Sequence, residues 1–208
     1  MNDPPAVDVA AWRRARRREL IAARLAFGGP AQAAASRVIE GYLDACLAVP
    51  AGEAIGFYWP MRGEFDPRPF IERLAAAGHV VALPVVAAGA GPLAFRRWQP
   101  GAAMVEDRYG IPTPAEGAAV VPELLLVPLL GFDAAGYRLG YGAGHYDRTL
   151  AALQPPPRSI GVGFALGRLA TIHPQPHDRP LDCIVTEEGV FERAGAGPLV
   201  RRQDERLR

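Results

Sequence analysis

From Gly131 to Arg148 the chain reads GFDAAGYRLGYGAGHYDR, and most residue types in it can act on a phosphate. Gly136, Gly140, Gly142 and Gly144 have no side chain, so the backbone can turn with positive φ and bring its amides against a ligand. A helix starting after such a loop would aim further N–H groups at the same point. Arg138 and Arg148 add positive charge, and Asp133 and Asp147 add hard oxygens of the kind magnesium takes. The stretch matches neither standard nucleotide loop. The G-x-G-x-x-G fingerprint fails at its third glycine, and a Walker A loop needs a lysine that is missing here. A phosphate-binding strand–loop–helix and a tight glycine-rich turn with surface arginines both stay open on these residues alone.

A loop of this kind must be held by regular elements. Leu124 to Leu130 is an uninterrupted apolar run and predicts a buried strand feeding the loop. The segment after Gly144 predicts a short helix ending before Gln154–Pro157. Upstream, residues 10–27 predict a helix with a dense basic run, Arg13, Arg14, Arg16, Arg17, Arg18 and Arg24. That run reads as a solvated face or as a nucleic-acid patch. Residues 31–47 predict a second helix with Ala34, Val38, Tyr42 and Ala45 on its apolar face. Ala54–Trp59 predicts a strand. Asp66 predicts an N-cap with Pro67 at N1 of a helix running to Ala77, where Gly78 stops it. His79–Val86 and Pro92–Trp98 predict further strands, residues 101–122 an irregular segment, and Ser159–Ala165 and Leu181–Thr186 two more strands. Strand–helix–strand order of this kind favours an α/β fold with a mostly parallel central sheet flanked by helices. His173 and His177 have the i, i+4 spacing of a zinc pair, but Pro174 and Pro176 argue against the helix that would display them together.

Length and composition set the outer limits. A chain of 208 residues suits one domain, with 1–9 and 193–208 as loose tails, the second with Leu199-Val200 as a candidate edge contact. A formal net charge of +1 points to no bulk electrostatic partner, and the absence of lysine leaves arginine as the only strong cation. Cys46 and Cys183 make no metal pattern and suit a reducing compartment. No apolar stretch is long enough for a membrane span, and no hydrophobic signal core follows the arginine-rich start. The expectation is a cytoplasmic protein, a monomer, with neither membrane nor nucleic acid as partner.

The central motif carries a resemblance as well. Gly131-Phe132-Asp133, Gly136, Arg138-Leu139-Gly140-Tyr141-Gly142, Gly144 and Tyr146-Asp147-Arg148 resemble the signature of the 5-formyltetrahydrofolate cyclo-ligase (methenyltetrahydrofolate synthetase) family, with His145 where many members carry an aromatic residue. The resemblance extends over roughly residues 13–190. Arg13 stands at the family's lysine, Arg17 at its arginine and Glu19-Leu20 at its Glu-Leu pair, with Arg16 replacing a leucine. It implies a Rossmann-like three-layer sandwich and the ATP-dependent conversion of 5-formyltetrahydrofolate to 5,10-methenyltetrahydrofolate, with ADP and phosphate released.

The site residues follow by the same resemblance. ATP would be held by Arg13, Arg17, Arg138 and the loop Gly140, Tyr141, Gly142, Ala143, Gly144, His145 and Tyr146. The reacting groups would be served by Arg138, Asp147 and Arg148, and Mg2+ by Asp147 with Asp133 beside it. The reduced folate would meet Tyr58, Met61, Glu64 and Tyr109, the last in a Tyr-x-Ile-Pro-x-Pro element. His177-Asp178 resembles a family histidine–aspartate element. Each has a plain alternative: Glu64 as a solvated loop acid, Tyr109 as a core ring, His177-Asp178 as a structural tie. Two further function classes remain on the residues themselves. One is another phosphate-binding α/β enzyme of sugar-phosphate isomerase or CoA-transferase type, and the other is an RNA-binding protein using the arginine-rich helix.

Overall fold

A computed structural model describes residues 8–47, 49–50, 52–86, 91–195 and 197–203. Two helices come first, α1 (Val9–Ala26) and α2 (Pro30–Cys46), then β1 (Ala54–Gly56), α3 (Arg68–Ala76), β2 (Val80–Val85) and β3 (Ala94–Arg97). Short strands β4 (Met104–Glu106), β5 (Pro112–Pro114) and β6 (Ala119–Val120) precede β7 (Leu124–Pro128). The glycine loop contains the small hairpin β8 (Gly131–Phe132) and β9 (Arg138–Leu139) and leads into α4 (His145–Ala152). The chain closes with β10 (Arg158–Val162), β11 (Cys183–Thr186), β12 (Gly189–Arg193) and β13 (Leu199–Arg201).

Among the described residues one nine-stranded sheet runs β13-β12-β11-β10-β7-β1-β2-β3-β6. Its centre, β11 to β2, is parallel, while β12 and β13 on one side and β3 and β6 on the other are antiparallel. The sheet is therefore mixed, parallel only in its middle. The reason lies in the connections: strands joined by a crossover helix run parallel, and those joined by tight turns cannot.

The run of β7 alternates as a strand buried on both faces should. Leu124 and Leu126 enter one core with Ile39 and Leu43 of α2 and Phe70 and Ile71 of α3. Leu125 and Val127 enter the other, against which Tyr146 and Leu150 of α4 pack. Full burial of each such aliphatic chain stabilises by about 1.5–3 kcal/mol. A third, smaller cluster of Leu20, Leu130, Leu139 and Ile172 joins α1 to the glycine loop beyond the end of β7.

Three expectations are corrected. The buried stripe of α2 is Ala35, Ile39 and Leu43, and Val38 is 43% exposed, so the predicted face is off by one residue. In so alanine-rich a helix two neighbouring stripes look alike, and the larger side chains decide. The segment 101–122 is not irregular throughout: β4 and β5 pair as a ribbon of their own, where prolines at Pro112 and Pro114 are tolerated at an edge. After residue 193 the edge contact open at Leu199-Val200 is made, since β13 pairs with β12. The cap of α3 also differs in detail. Pro67 holds the N-cap position, while Asp66 Oδ1 accepts the Arg68 N–H at 3.0 Å.

The topology marks a place for a ligand. From β1 the chain proceeds to β2 on one side, whereas β7 lies on the other side and is followed outward by β10 and β11. The loops leaving β1 and β7 thus part at neighbouring carboxyl ends, the crevice where open α/β sheets bind their ligands.

Candidate functional site

The floor of the crevice is the glycine loop, and one face of α1 lies against it. Arg13, Arg17, Leu20 and Arg24 recur at helical spacing, so they share that face. Arg17 Nε donates to Gly140 O at 2.7 Å. Its guanidinium carbon would lie 3.3 Å from a Cβ built on Gly142, whose φ is +101°, so neither the backbone nor the neighbour leaves room for a side chain there. Gly144, at φ +66°, is the N-cap of α4 and lies close under Arg148. Burial, then the neighbouring Arg13 cation, lower the pKa of Arg17, and Asp178 only partly opposes them. Arg17 makes no ion pair among the described residues, so an anion placed here would relieve it.

Arg13 is anchored differently. It donates to Ile172 O at 3.1 Å and His173 O at 3.0 Å, and it pairs with Asp178 Oδ2 at 2.5 Å. Burial works against ionisation of Asp178, yet the Arg13 guanidinium and the Gln175 N–H outweigh it and hold the carboxyl below its usual range. The histidine–aspartate element is thus a tie between α1 and the approach to β11, with Asp178 as the working partner and His177 largely exposed.

Arg138 and Asp147 form the support beneath the loop. Arg138 sits on β9 with its guanidinium 3.1 Å from Asp147 Oδ2 and donates to Arg179 O at 3.3 Å. Asp147, in the first turn of α4, also accepts the Arg179 N–H on Oδ1 at 3.0 Å. Arg148 is tied to backbone, donating to Gly91 O at 3.2 Å and to Ala143 O at 2.7 Å. Asp133 lies elsewhere in function: it is buried, and its oxygens accept N–H bonds from Ala135, Tyr137 and Ile172. Its carboxylate folds the loop and presents nothing to a metal. No cluster of three metal-binding side chains occurs among the described residues.

The opposite wall comes from the loop after β1. Glu64 is 9% exposed; Oε2 accepts the Met61 N–H at 2.9 Å and Oε1 accepts the Tyr141 hydroxyl at 2.7 Å. Burial raises its pKa, opposed by the Tyr141 and Met61 bonds and by Arg24. The Tyr141 and Tyr146 hydroxyls are pushed above their ordinary range, first by burial and then by the Glu64 charge, so both stay donors. Pro60, Met61, Glu64 and Gln32 line a cleft of about 390 Å³. Tyr58 does not line it: the ring is buried in the main core and the hydroxyl donates to Phe65 O at 2.9 Å. Tyr109 is not a core ring. It is 49% exposed on the rim, with its ring edge against His145 and its hydroxyl 3.2 Å from His145 Nε2.

One residue was missed as a site residue. Arg24 is 2% exposed and donates to Arg62 O at 3.0 Å, to Leu129 O at 3.2 Å and to the Tyr141 hydroxyl. Its spacing from Arg13, Arg17 and Leu20 was the available signal: a helix face that buries Leu20 also buries the residue one turn on.

Comparison with known proteins bears on this arrangement. The family model described as the 5-formyltetrahydrofolate cyclo-ligase family matches residues 9–187. The chain is similar to the 5-formyltetrahydrofolate cyclo-ligase of Escherichia coli (strain K12), at 36% identity over 137 residues that span 62% of this chain and 75% of that one. It is also similar to that of Mycolicibacterium smegmatis, at 33% over 145 residues, 65% and 74% of the two chains. A solved Aquifex aeolicus 5,10-methenyltetrahydrofolate synthetase superposes with a TM-score of 0.72 and 26% identity, covering 88% of this chain and 94% of that one. The fold is also that of a Mycoplasma pneumoniae 5,10-methenyltetrahydrofolate synthetase, with a TM-score of 0.70 at 24% identity, covering 84% of this chain and 98% of that one.

Proposed function

The chain belongs to the 5-formyltetrahydrofolate cyclo-ligase family, and we propose that its crevice beyond β1 and β7 is where that family's reaction takes place. The reaction is the ATP-dependent conversion of 5-formyltetrahydrofolate to 5,10-methenyltetrahydrofolate, with release of ADP and phosphate. The observation that carries the placement is the meeting of two unlike walls, a glycine loop beneath Arg17 and a buried acid opening on the Met61–Glu64 cleft.

The chemistry explains why both walls are needed. An N-formyl carbon is amide-like, and its oxygen is a poor leaving group. Transfer of the γ-phosphoryl group from ATP to the formyl oxygen leaves ADP and creates a good one. N10 then attacks the formyl carbon and loses its proton, the C–O bond breaks, and phosphate departs. N10 is already a nucleophile, so the protein's work is alignment and neutralisation of spreading charge. The amides of Gly140 to Gly144 and the cations of Arg13 and Arg17 would receive the phosphates. Arg148 and, from below through Asp147, Arg138 would hold the loop in shape. Glu64 would accept hydrogen bonds from the reduced pterin, with Met61 against its ring and Tyr109 at the rim.

Mg2+ would enter with ATP and screen the phosphate charge. Asp133 does not fit it, because it is buried at 3% exposure and three backbone N–H groups already bond to its oxygens. Asp147 fits in part: each oxygen has one partner and a lone pair to spare, and the side chain is 17% exposed. One carboxylate with phosphate oxygens and waters suffices for magnesium.

The partner expectations follow the same reading. Arg13, Arg17 and Arg24 turn inward, which supports small-molecule ligands over an RNA-binding face. None of the described helices is long and apolar enough to cross a membrane. We propose a cytoplasmic monomer acting on a reduced folate. The direct test is growth of product absorbance from 5-formyltetrahydrofolate with and without ATP, with ADP measured in parallel. Product formation independent of ATP, or none at all, would refute the reading.

A further inference from the structure

We propose that the Tyr141 hydroxyl, held by Arg24, couples the two ligand sites, so that ordering of the glycine loop by ATP sets the Glu64 carboxylate for the folate. The inference rests on the functional reading above and adds a linkage between its two halves.

Tyr141 belongs to the glycine loop by its backbone and to the other wall by its side chain. Its neighbour Gly140 accepts from Arg17, and its own hydroxyl donates to Glu64 Oε1 at 2.7 Å. Two guanidinium groups, those of Arg24 and Arg62, lie over the ring at 5.9 and 5.8 Å from its centre. Arg24 donates to the same hydroxyl and stands 4.0 Å from Glu64 Oε1. The hydroxyl thus accepts from one charged group and donates to another.

The far side is strained and pinned by the same arginine. Arg62 adopts φ +48° and Gly63 φ +72°, successive left-handed residues that place Glu64 inward. For a non-glycine residue that conformation persists only where its surroundings enforce it. Arg24 Nε holds Arg62 O at 3.0 Å and Gln32 holds Gly63 O at 2.8 Å. Arg24 also grips Leu129 O at the end of β7, the strand that feeds the glycine loop. One buried guanidinium therefore touches the β1 loop, the β7 terminus and the glycine loop at once. Of the groups that oppose the cost of burying the Glu64 charge, the Tyr141 hydroxyl acts most strongly.

A ligand that fixes the glycine loop fixes this hydroxyl, and so fixes the acceptor that the folate must meet. By linkage the effect is reciprocal: each ligand tightens the other by the same factor. Arg24 is a positioning residue in this account, acting through Tyr141 and Arg62.

The test is calorimetric binding of 5-formyltetrahydrofolate with and without a saturating non-hydrolysable ATP analogue, and of the analogue with and without the folate. The wild type should show mutual tightening of about 5-fold or more. Tyr141→Phe removes only the hydroxyl; both ligands should still bind, with the factor falling below about 2-fold and the melting temperature falling because buried Glu64 and Arg24 each lose a partner. Arg24→Lys keeps a cation but cannot span three oxygens, and should give an intermediate factor. A wild-type factor of one, or a Tyr141→Phe variant that keeps the wild-type factor, overturns the coupling while leaving the functional reading intact. Failure of both ligands to bind the wild type overturns the functional reading and the coupling with it.

Discussion

Asp147→Asn separates two roles that the structure superimposes on one carboxylate. The substitution keeps the shape and the Arg179 N–H bond, since Asn retains an acceptor oxygen. It removes the charge facing Arg138 and sets an N–H2 donor against a guanidinium 3.1 Å away. Side-chain exposures of 5% for Arg138 and 17% for Asp147 place the pair between the surface and the interior. Breaking a fully buried pair costs about 3–5 kcal/mol and an exposed one at most about 1 kcal/mol, so about 2 kcal/mol is expected here. For a chain of this size that lowers Tm by about 4–8 °C. If Asp147 also faces Mg2+, kcat should fall at least about tenfold, equivalent to about 1.4 kcal/mol of lost transition-state stabilisation. The magnesium concentration for half-maximal rate should rise with it. Steady-state rates across a magnesium series, with a thermal melt of each protein, read both effects. Wild-type kcat and magnesium dependence in a variant with the lowered Tm would refute the metal role and leave Asp147 as the partner of Arg138.

Other perturbations test the remaining walls. Gly142→Ala forces a side chain into φ +101° against Arg17; strain of about 1–3 kcal/mol should lower Tm by about 2–12 °C, and displacement of the loop should raise the ATP KM about fivefold or more, as read by thermal melts and steady-state kinetics. Arg17→Ala should raise the ATP KM about tenfold or more and the folate KM by less, a split that equal effects on both would contradict. Glu64→Gln should weaken calorimetric binding of 5-formyltetrahydrofolate while leaving ATP binding nearly intact. It should also change the pH profile of stability. Because the folded Glu64 pKa is raised, the folded state holds its proton longer than the unfolded chain. Wild-type stability should therefore fall as pH rises from the ordinary carboxylate value of 4.5 to the higher folded one. Melts of the Gln variant across that window should show a flatter profile. Asp178 has the opposite sign: its folded pKa is depressed, so the stability it lends through Arg13 is lost as pH falls below the ordinary value of 3.8. Arg13→Gln should remove that loss.

What the sequence made legible was local. The strand through Leu124–Pro128, the helices α1 and α3 and the glycine loop announce themselves because their signals lie within one or two turns of chain. The stripe of α2 was misplaced because alanine weakens the contrast between faces. The ribbon of β4 and β5 escaped because proline at alternate positions argues against a strand unless one edge is unpaired. In the site, Gly142 and Gly144 could be suspected from type alone. The fates of Asp133 and Tyr58 could not, since whether a carboxylate meets a ligand or three backbone amides is decided by how the loop closes. Arg24 shows the same limit. In the sequence it is one more arginine of a basic run, and only the arrival of Arg62, Leu129 and Tyr141 makes it a buried hub.

The ion pair between Arg13 and Asp178 joins residues 165 positions apart. Contacts of such separation require closure of a long loop and form late in folding. On the ribosome, α1 emerges early with its arginine face uncovered, and its partner follows only after most of the sheet has been made. A chain stalled or cleaved before residue 178 therefore lacks both a fixed Arg13 and the Arg179 backbone that ties Arg138 and Asp147 beneath the glycine loop. Competence to bind nucleotide in this mode would then report that the chain has been finished, a property that limited proteolysis of nascent chains could read.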